Sequence, residues 1–138
     1  MLRQASALLP IRADGPGLFV ITDNVRAFVA DSGIREGLLT LFCRHTSASL
    51  LIQENAAPSV RRDLESYFAR LAPEGPYEHD DEGPDDMPAH LRSALTATQL
   101  SIPVHDQKLL LGTWQGIFPF EHRRYAPARA IALHVVGE

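Results

Sequence analysis

Leu38-Leu39-Thr40-Leu41-Phe42-Cys43-Arg44 runs directly into His45-Thr46-Ser47-Ala48-Ser49 and then into Leu50-Leu51-Ile52-Gln53. The first segment is strongly apolar and of strand length. The last resumes strand character after a stretch of small hydroxyl residues. Upstream, Leu2 to Ile11 reads as a first strand, Asp14-Gly15-Pro16-Gly17 as a turn, and Leu18 to Ile21 as a short second strand. Thr22 or Asp23 can cap a helix to about Ser32, with Val25, Phe28 and Val29 on one face and Gly33 just past its end. Downstream, Pro58-Ser59 opens a longer helix in which Val60, Leu64, Tyr67, Phe68 and Leu71 recur at helical spacing. Ala72 to Pro88 then breaks all periodicity, with four prolines and two glycines. A loop this long is disordered or functional. A short helix is expected from Pro88 to Thr98. Strands follow at Ser101–His105, Lys108–Thr113, Gln115–Phe120 and Ala128–Val136. This order lacks the regular alternation of a parallel α/β fold. It predicts an α+β domain spanning 1–138, a mixed sheet packed on helices.

The 138 residues suffice for one buried core, and a formal net charge of -4 disfavours non-specific nucleic-acid binding. The single cysteine, Cys43, excludes an intrachain disulfide. It sits in an apolar strand and reads as a small buried hydrophobe. No apolar run approaches the length of a membrane span, and the N-terminus lacks a signal-peptide pattern, so a cytoplasmic protein without a membrane partner is expected.

Six histidines stand in the chain, and their neighbours are informative. His45 ends a strand beside Thr46, Ser47 and Ser49, a rigid mount with room for a ligand. A hydrogen-bonded histidine terminating a strand explains it equally well. His79 precedes Asp80, Asp81, Glu82, Asp85 and Asp86, which could equally be a solvated acidic loop. Asp86 and His90 are spaced i, i+4, so the carboxylate can orient the imidazole. Three histidines with an open position form a catalytic zinc pattern, although no short fixed spacing links these three. Gly112-Thr113-Trp114-Gln115-Gly116 places the only tryptophan between glycines; a core or interface aromatic is the plainer reading of Trp114. Gln115 could donate to a ligand oxygen. Arg123 or Arg124 could grip a phosphate, or simply join a surface ion-pair network. Glu54 and Asn55 line a pocket or form a turn.

At these residues the chain resembles the YjbQ-like family, also called the secondary thiamine-phosphate synthase family. The resemblance rests on His45-Thr46-Ser47-Ala48, Glu54-Asn55, His79, Glu82-Gly83, Asp86, Ala89-His90, Ile102-Pro103-Val104 and Leu111-Gly112-Thr113-Trp114-Gln115-Gly116-Ile117. It implies a mostly antiparallel sheet curled into a sandwich-like or barrel-like core with helices packed on it. It also implies a homotrimer with pockets near subunit boundaries. Carried over, it makes His45, His79 and His90 ligands of a divalent metal, zinc by preference, and His45, His90 and Asp86 acid–base groups. Thr46, Ser47, Asn55, Gln115 and Arg123 become substrate-binding donors. Pro84 stands where an asparagine often follows Glu-Gly, and the His105-Asp106-Gln107 turn lacks the usual glycine.

The implied activity joins a hydroxymethylpyrimidine diphosphate to a thiazole phosphate, giving thiamine phosphate and pyrophosphate. A metal-assisted hydrolase acting on a small phosphorylated or amide substrate fits the same residues. From a different class, a trimer that only binds a metal or metabolite fits them as well.

Overall fold

A computed structural model describes all residues 1–138 and contains eight strands and three helices. In chain order these are β1 (Arg3–Ile11), β2 (Gly17–Leu18), α1 (Thr22–Ser32), β3 (Gly37–Cys43), β4 (Ala48–Glu54), α2 (Pro58–Leu71), α3 (Asp86–Leu95), β5 (Gln99–His105), β6 (Lys108–Leu109), β7 (Gln115–Glu121) and β8 (Arg129–Gly137). A five-stranded sheet has the order β1-β8-β3-β5-β6, and a three-stranded sheet the order β2-β7-β4. Every ladder is antiparallel, which sharpens the expectation of a mixed sheet.

Alternation along the strands sets what is buried. Ile131, Leu133 and Val135 of β8 face the interior with Leu39, Leu41 and Cys43 of β3 and Ile102 and Val104 of β5. Val25 and Val29 of α1 pack into the same core, as do Leu50 and Ile117 from the second sheet. Strand β7 is buried along nearly its whole length, because α2 covers its other side. There Phe118 and Phe120 meet Leu64 and Phe68. One segment joins the two sheets. Ala97 pairs with Leu50 of β4, while the carbonyl of Thr98 accepts from the Cys43 amide of β3 at 2.8 Å. Bonding to both sheets curls the strands into a half-barrel with its helices packed on it.

The elements differ from the sequence expectations mainly at their ends. Helix α3 begins at Asp86 and stops at Leu95, placing Pro88 inside its first turn. The expected strand over Lys108–Thr113 keeps only Lys108 and Leu109, because Gly112 opens a turn closed by the Gln115 amide on its carbonyl at 3.1 Å. The expected strand at Leu18–Ile21 shortens to β2, since Ile21 already accepts the first bond of α1. Thr22 caps nothing; its hydroxyl accepts from the Ile117 amide at 2.9 Å and ties α1 to β7. Gly33 ends α1 with a φ of 72°, as its position suggested.

The β5–β6 turn solves its missing glycine by anchoring. Asp106 and Gln107 hold φ values of 49° and 64°. The Gln107 amide donates to the Arg35 carbonyl at 2.9 Å, and Glu36 accepts from the Asp106 amide at 3.2 Å. No helix is long and apolar enough to cross a membrane.

Candidate functional site

The loop from Ala72 to Asp85 ends by delivering Asp86 to the first turn of α3, where the carboxylate is only 5% exposed. Arg123, just past the end of β7, holds it there. Its Nη1 donates to Asp86 Oδ1 at 2.7 Å, its Nε to Asp85 Oδ2 at 3.1 Å, and its Nη2 to the Glu82 carbonyl at 2.8 Å. Burial alone would push both carboxyls up. For Asp86 the His79 hydrogen bond and the His90 and Arg123 charges reverse this, and its pKa lies below the usual value. For Asp85 the Arg124 amide and Arg123 do the same.

The second oxygen of Asp86 is where two histidines meet. His79 Nε2 lies 2.6 Å from Oδ2 and His90 Nε2 3.1 Å from it. The other nitrogen of His90 sits 2.9 Å from the Thr46 carbonyl, which can only accept, so Nδ1 carries a proton. With Nδ1 committed to Thr46, Nε2 is the nitrogen that His90 presents to Asp86 Oδ2. His79 has Asp81 at 3.2 Å from its Nδ1, so acids stand on both sides of that ring. The arrangement requires a positive charge between the rings and Oδ2, either a proton or a cation. The Asp86 hydrogen bond raises the His79 pKa against the opposing effect of burial. One ligand atom from each of the three residues falls within 4.8 Å of the others. Two imidazole nitrogens and a carboxylate oxygen suit zinc or a similar divalent ion. A cleft of about 560 Å³ lies beside His79, lined by Tyr77, Glu78, Asp80, Asp81 and Met87.

Behind this site, buried polar groups cross between the strands. Arg129 of β8 is 6% exposed and donates to Glu121 through Nε at 2.8 Å and Nη2 at 2.6 Å. Nη2 also reaches the Ser47 hydroxyl at 2.9 Å. His122 Nε2 sits 2.9 Å from the Ser49 hydroxyl, which bonds in turn to Thr96. Burial, with the Arg92 and Arg129 charges, lowers the His122 pKa to about 3, so the ring is neutral. Sequence reasoning singled out neither Arg129 nor His122. The signal available was Glu121-His122-Arg123-Arg124, four ionisable residues ending an otherwise apolar strand.

The structure thus brings together His79, Asp86, His90 and Arg123, with Thr46 contributing its carbonyl. His45 does not join them. Its Nε2 accepts from the Ala130 amide at 3.0 Å, and burial followed by the Arg129 charge lowers its pKa. The Ser47 hydroxyl is held by Arg129, and the Arg123 donors are occupied by Asp85, Asp86 and Glu82, so Arg123 positions acids here. Asn55 and Gln115 lie at the far end of the β4–β7 ladder, whose register runs from Ala48↔Glu121 to Glu54↔Gln115. Six residue steps separate them from the site, about 20 Å. There Gln115 Oε1 accepts from the Gly112 amide at 2.7 Å, and Asn55 accepts from Arg61 at 3.1 Å. Trp114 is 65% exposed and is not a core residue of the single chain. Cys43 is buried with a raised pKa, as a small hydrophobe should be.

Comparison with known proteins agrees with this architecture. The profile of the family described as UPF0047 protein YjbQ-like matches residues 9–138. The UPF0047 protein sll1880 of Synechocystis is 50% identical over 138 residues, covering 99% of this chain and 94% of that protein. The UPF0047 protein YjbQ of Escherichia coli O157:H7 is 44% identical over 132 residues, covering 94% and 96%. Among solved structures, a yjbq/upf0047 family protein of Clostridium acetobutylicum superposes with a TM-score of 0.83 at 30% identity, covering 95% of this chain and 98% of that one. A YbjQ-like protein of Sulfolobus solfataricus P2 shares the fold with a TM-score of 0.86 at 24% identity, covering 100% and 99%. The chain belongs to the YjbQ-like UPF0047 family.

Proposed function

We propose that this chain is an enzyme that holds a divalent cation, zinc by preference, on His79, Asp86 and His90 and acts on a small phosphorylated molecule. The observation that carries the reading is the convergence on Asp86 Oδ2. His90 is locked by the Thr46 carbonyl with Nε2 facing the ionised Asp86 carboxylate, where a bound cation between the two would be coordinated by both. When bound, such an ion supplies Lewis-acid charge to a phosphoryl oxygen and lowers the pKa of a bound water. The chain's own residues do the rest. Arg123 fixes the Asp86 carboxylate, Thr46 orients His90, and Asp81, 3.2 Å from Nδ1, orients His79. The cleft beside His79 is acidic, which fits an anionic substrate only with a cation in place.

Within this reading, transfer of the thiamine-phosphate synthase type is the finer form, with diphosphate as leaving group. Metal-assisted hydrolysis is its enzymatic variant. A homotrimer is part of the proposal. The outer face of the five-stranded sheet carries Leu8 and Phe42, exposed at 57% and 46%. The alternative is a trimer that binds the ion without catalysis.

The test is elemental analysis of the purified protein beside His90→Ala and Asp86→Asn. Near-stoichiometric zinc or a similar ion, lost in both variants, supports the centre. No metal in either form after zinc incubation and dialysis sinks it. If metal is bound, loss of turnover in Asp86→Asn separates an enzyme from a binding protein.

A further inference from the structure

The guanidinium expected to grip a phosphate, Arg123, is occupied by acids. A different part of the molecule has unoccupied donors. Between the β3–β4 connection and the start of β8 lies a cleft of about 320 Å³, lined by Arg44, His45, Ala128, Arg129 and Ala130. No carboxylate lines it.

Three residues that line this cleft have donors without a partner in the protein. His45 Nε2 accepts from the Ala130 amide at 3.0 Å, so the neutral ring carries its proton on Nδ1, which has no partner in the protein. Arg129 is 6% exposed, and its hydrogen bonds engage only Nε and Nη2, leaving Nη1 without a partner. Arg44 is exposed and makes no ion pair. The register explains the placement. Cys43 pairs with Ile131, so Arg44 follows opposite Ala130, and the methyl side chains of Ala128 and Ala130 leave the space open. Glu121 neutralises most of the Arg129 charge, and Arg44 supplies the rest of the positive field.

Ala128 and Arg129 also line a second cleft, of about 420 Å³, together with Pro10, Ile11, Arg12 and Pro127. The first compartment is cationic and small. The second offers mostly apolar and small side chains, with Arg12 at its rim.

We infer that the Arg44–His45–Arg129 cleft binds the phosphate group of a small phosphorylated molecule, whose organic part lies along Pro10–Pro127. Donors from three residues match the oxygens of a tetrahedral phosphate better than the two of a planar carboxylate. The site is distinct from the His79–Asp86–His90 centre. It needs no cation, and two paths join it to that centre: the 44–47 segment, through the Thr46 carbonyl that His90 holds, and Glu121, which accepts from both Arg129 and the Arg123 amide.

The experiment titrates inorganic phosphate into the full chain, stripped of metal with a chelator, by calorimetry and by amide NMR shifts, with acetate as a parallel ligand. Saturable phosphate binding that shifts Arg44, His45 and Ala130, and that weakens about tenfold or more in Arg44→Ala, is the expected result. His45→Gln, at the rim, provides a second weakened variant, and Gln115→Ala at the far end of β7 leaves binding unchanged. No phosphate binding below about 20 mM overturns the inference. So does equal affinity for acetate, or binding that survives Arg44→Ala and His45→Gln but disappears in His90→Ala. The metal centre stands or falls separately, since its test is metal content.

Discussion

The two ends of the β4–β7 ladder hold the most distinctive motifs of the chain and are built in opposite ways. At the Ala48↔Glu121 end, side chains reach across elements. Arg129 of β8 joins Glu121 of β7 to Ser47, and Arg123 carries the network on to Asp86 of α3. At the Glu54↔Gln115 end, the Gly-Thr-Trp-Gln-Gly segment mostly bonds to itself and to the adjoining strand. Gln115 closes the turn at Gly112, and the Asn55 amide donates to the Trp114 carbonyl at 2.7 Å. One end gathers ionisable side chains from several elements. The other shapes backbone. Distinctive sequence is therefore no guide by itself to where such side chains gather.

The largest effect separating the two ends comes from Arg129→Ala. It strands a 3%-exposed Glu121 carboxylate without its partner. Breaking a buried pair on one side costs about 3–5 kcal/mol. Urea unfolding followed by fluorescence of Trp114 measures this directly. A loss below about 1 kcal/mol would show that solvent reaches Glu121 and that this end is less sealed than its geometry indicates.

Next in size is a pH effect confined to the same end. His122 is buried and neutral, with its pKa at about 3 against an ordinary value of about 6.5. The folded chain therefore binds fewer protons than the unfolded one between these values. Stability from this group is complete above about pH 6.5 and falls as pH drops toward 3, at up to about 1.4 kcal/mol per pH unit. Reading the slope between about pH 6.5 and 4.5 keeps it above the ordinary carboxylate range. His122→Gln flattens the slope in that window. An unchanged slope in the variant would assign the effect to other groups.

The fold was legible where periodicity is strong. The runs around Leu39–Cys43, Ile131–Val135 and Val60–Leu71 announce their elements because one face of each meets apolar neighbours. The site was legible in part. Asp86 and His90 are one helical turn apart, and local spacing shows it. His79 reaches them only through an irregular loop, and Arg123 only through long-range sheet pairing, so neither partnership is written in any local pattern. His45 misled for the same reason. Adjacent to Thr46 in sequence, it turns its ring toward Ala130 while the Thr46 carbonyl faces His90. The Ala48-to-Glu54 strand likewise carries Asn55 away from Ser47, though both motifs stand within a few residues in the chain.

At the other end, Gly116→Ala tests whether the motif glycine is there for close approach. A Cβ on Gly116 would sit 2.7 Å from the Asn55 Cβ, nearer than side chains tolerate. Relief requires a shift of the β4–β7 ends, costing about 1–3 kcal/mol in urea unfolding. A neutral outcome would mean that Asn55 moves freely, and that the glycine is needed for something other than packing.

The smallest effect is expected from Gln115→Ala. Its side-chain oxygen accepts one exposed hydrogen bond from the Gly112 amide, a contact that water can replace. The loss is about 0.5–1 kcal/mol in stability, with no change in metal content. The comparison sharpens on that second readout. If Gln115 shaped only its turn, neither metal binding nor phosphate binding would change with it. If either changed in the intact protein, the two ends would have to meet across copies of the chain, since about 20 Å of ladder separates them within one. Repeating the measurement with Leu8→Lys, aimed at the outer sheet face, would decide this. A coupling that disappears with the assembly belongs to the interface, and one that persists belongs to the single chain.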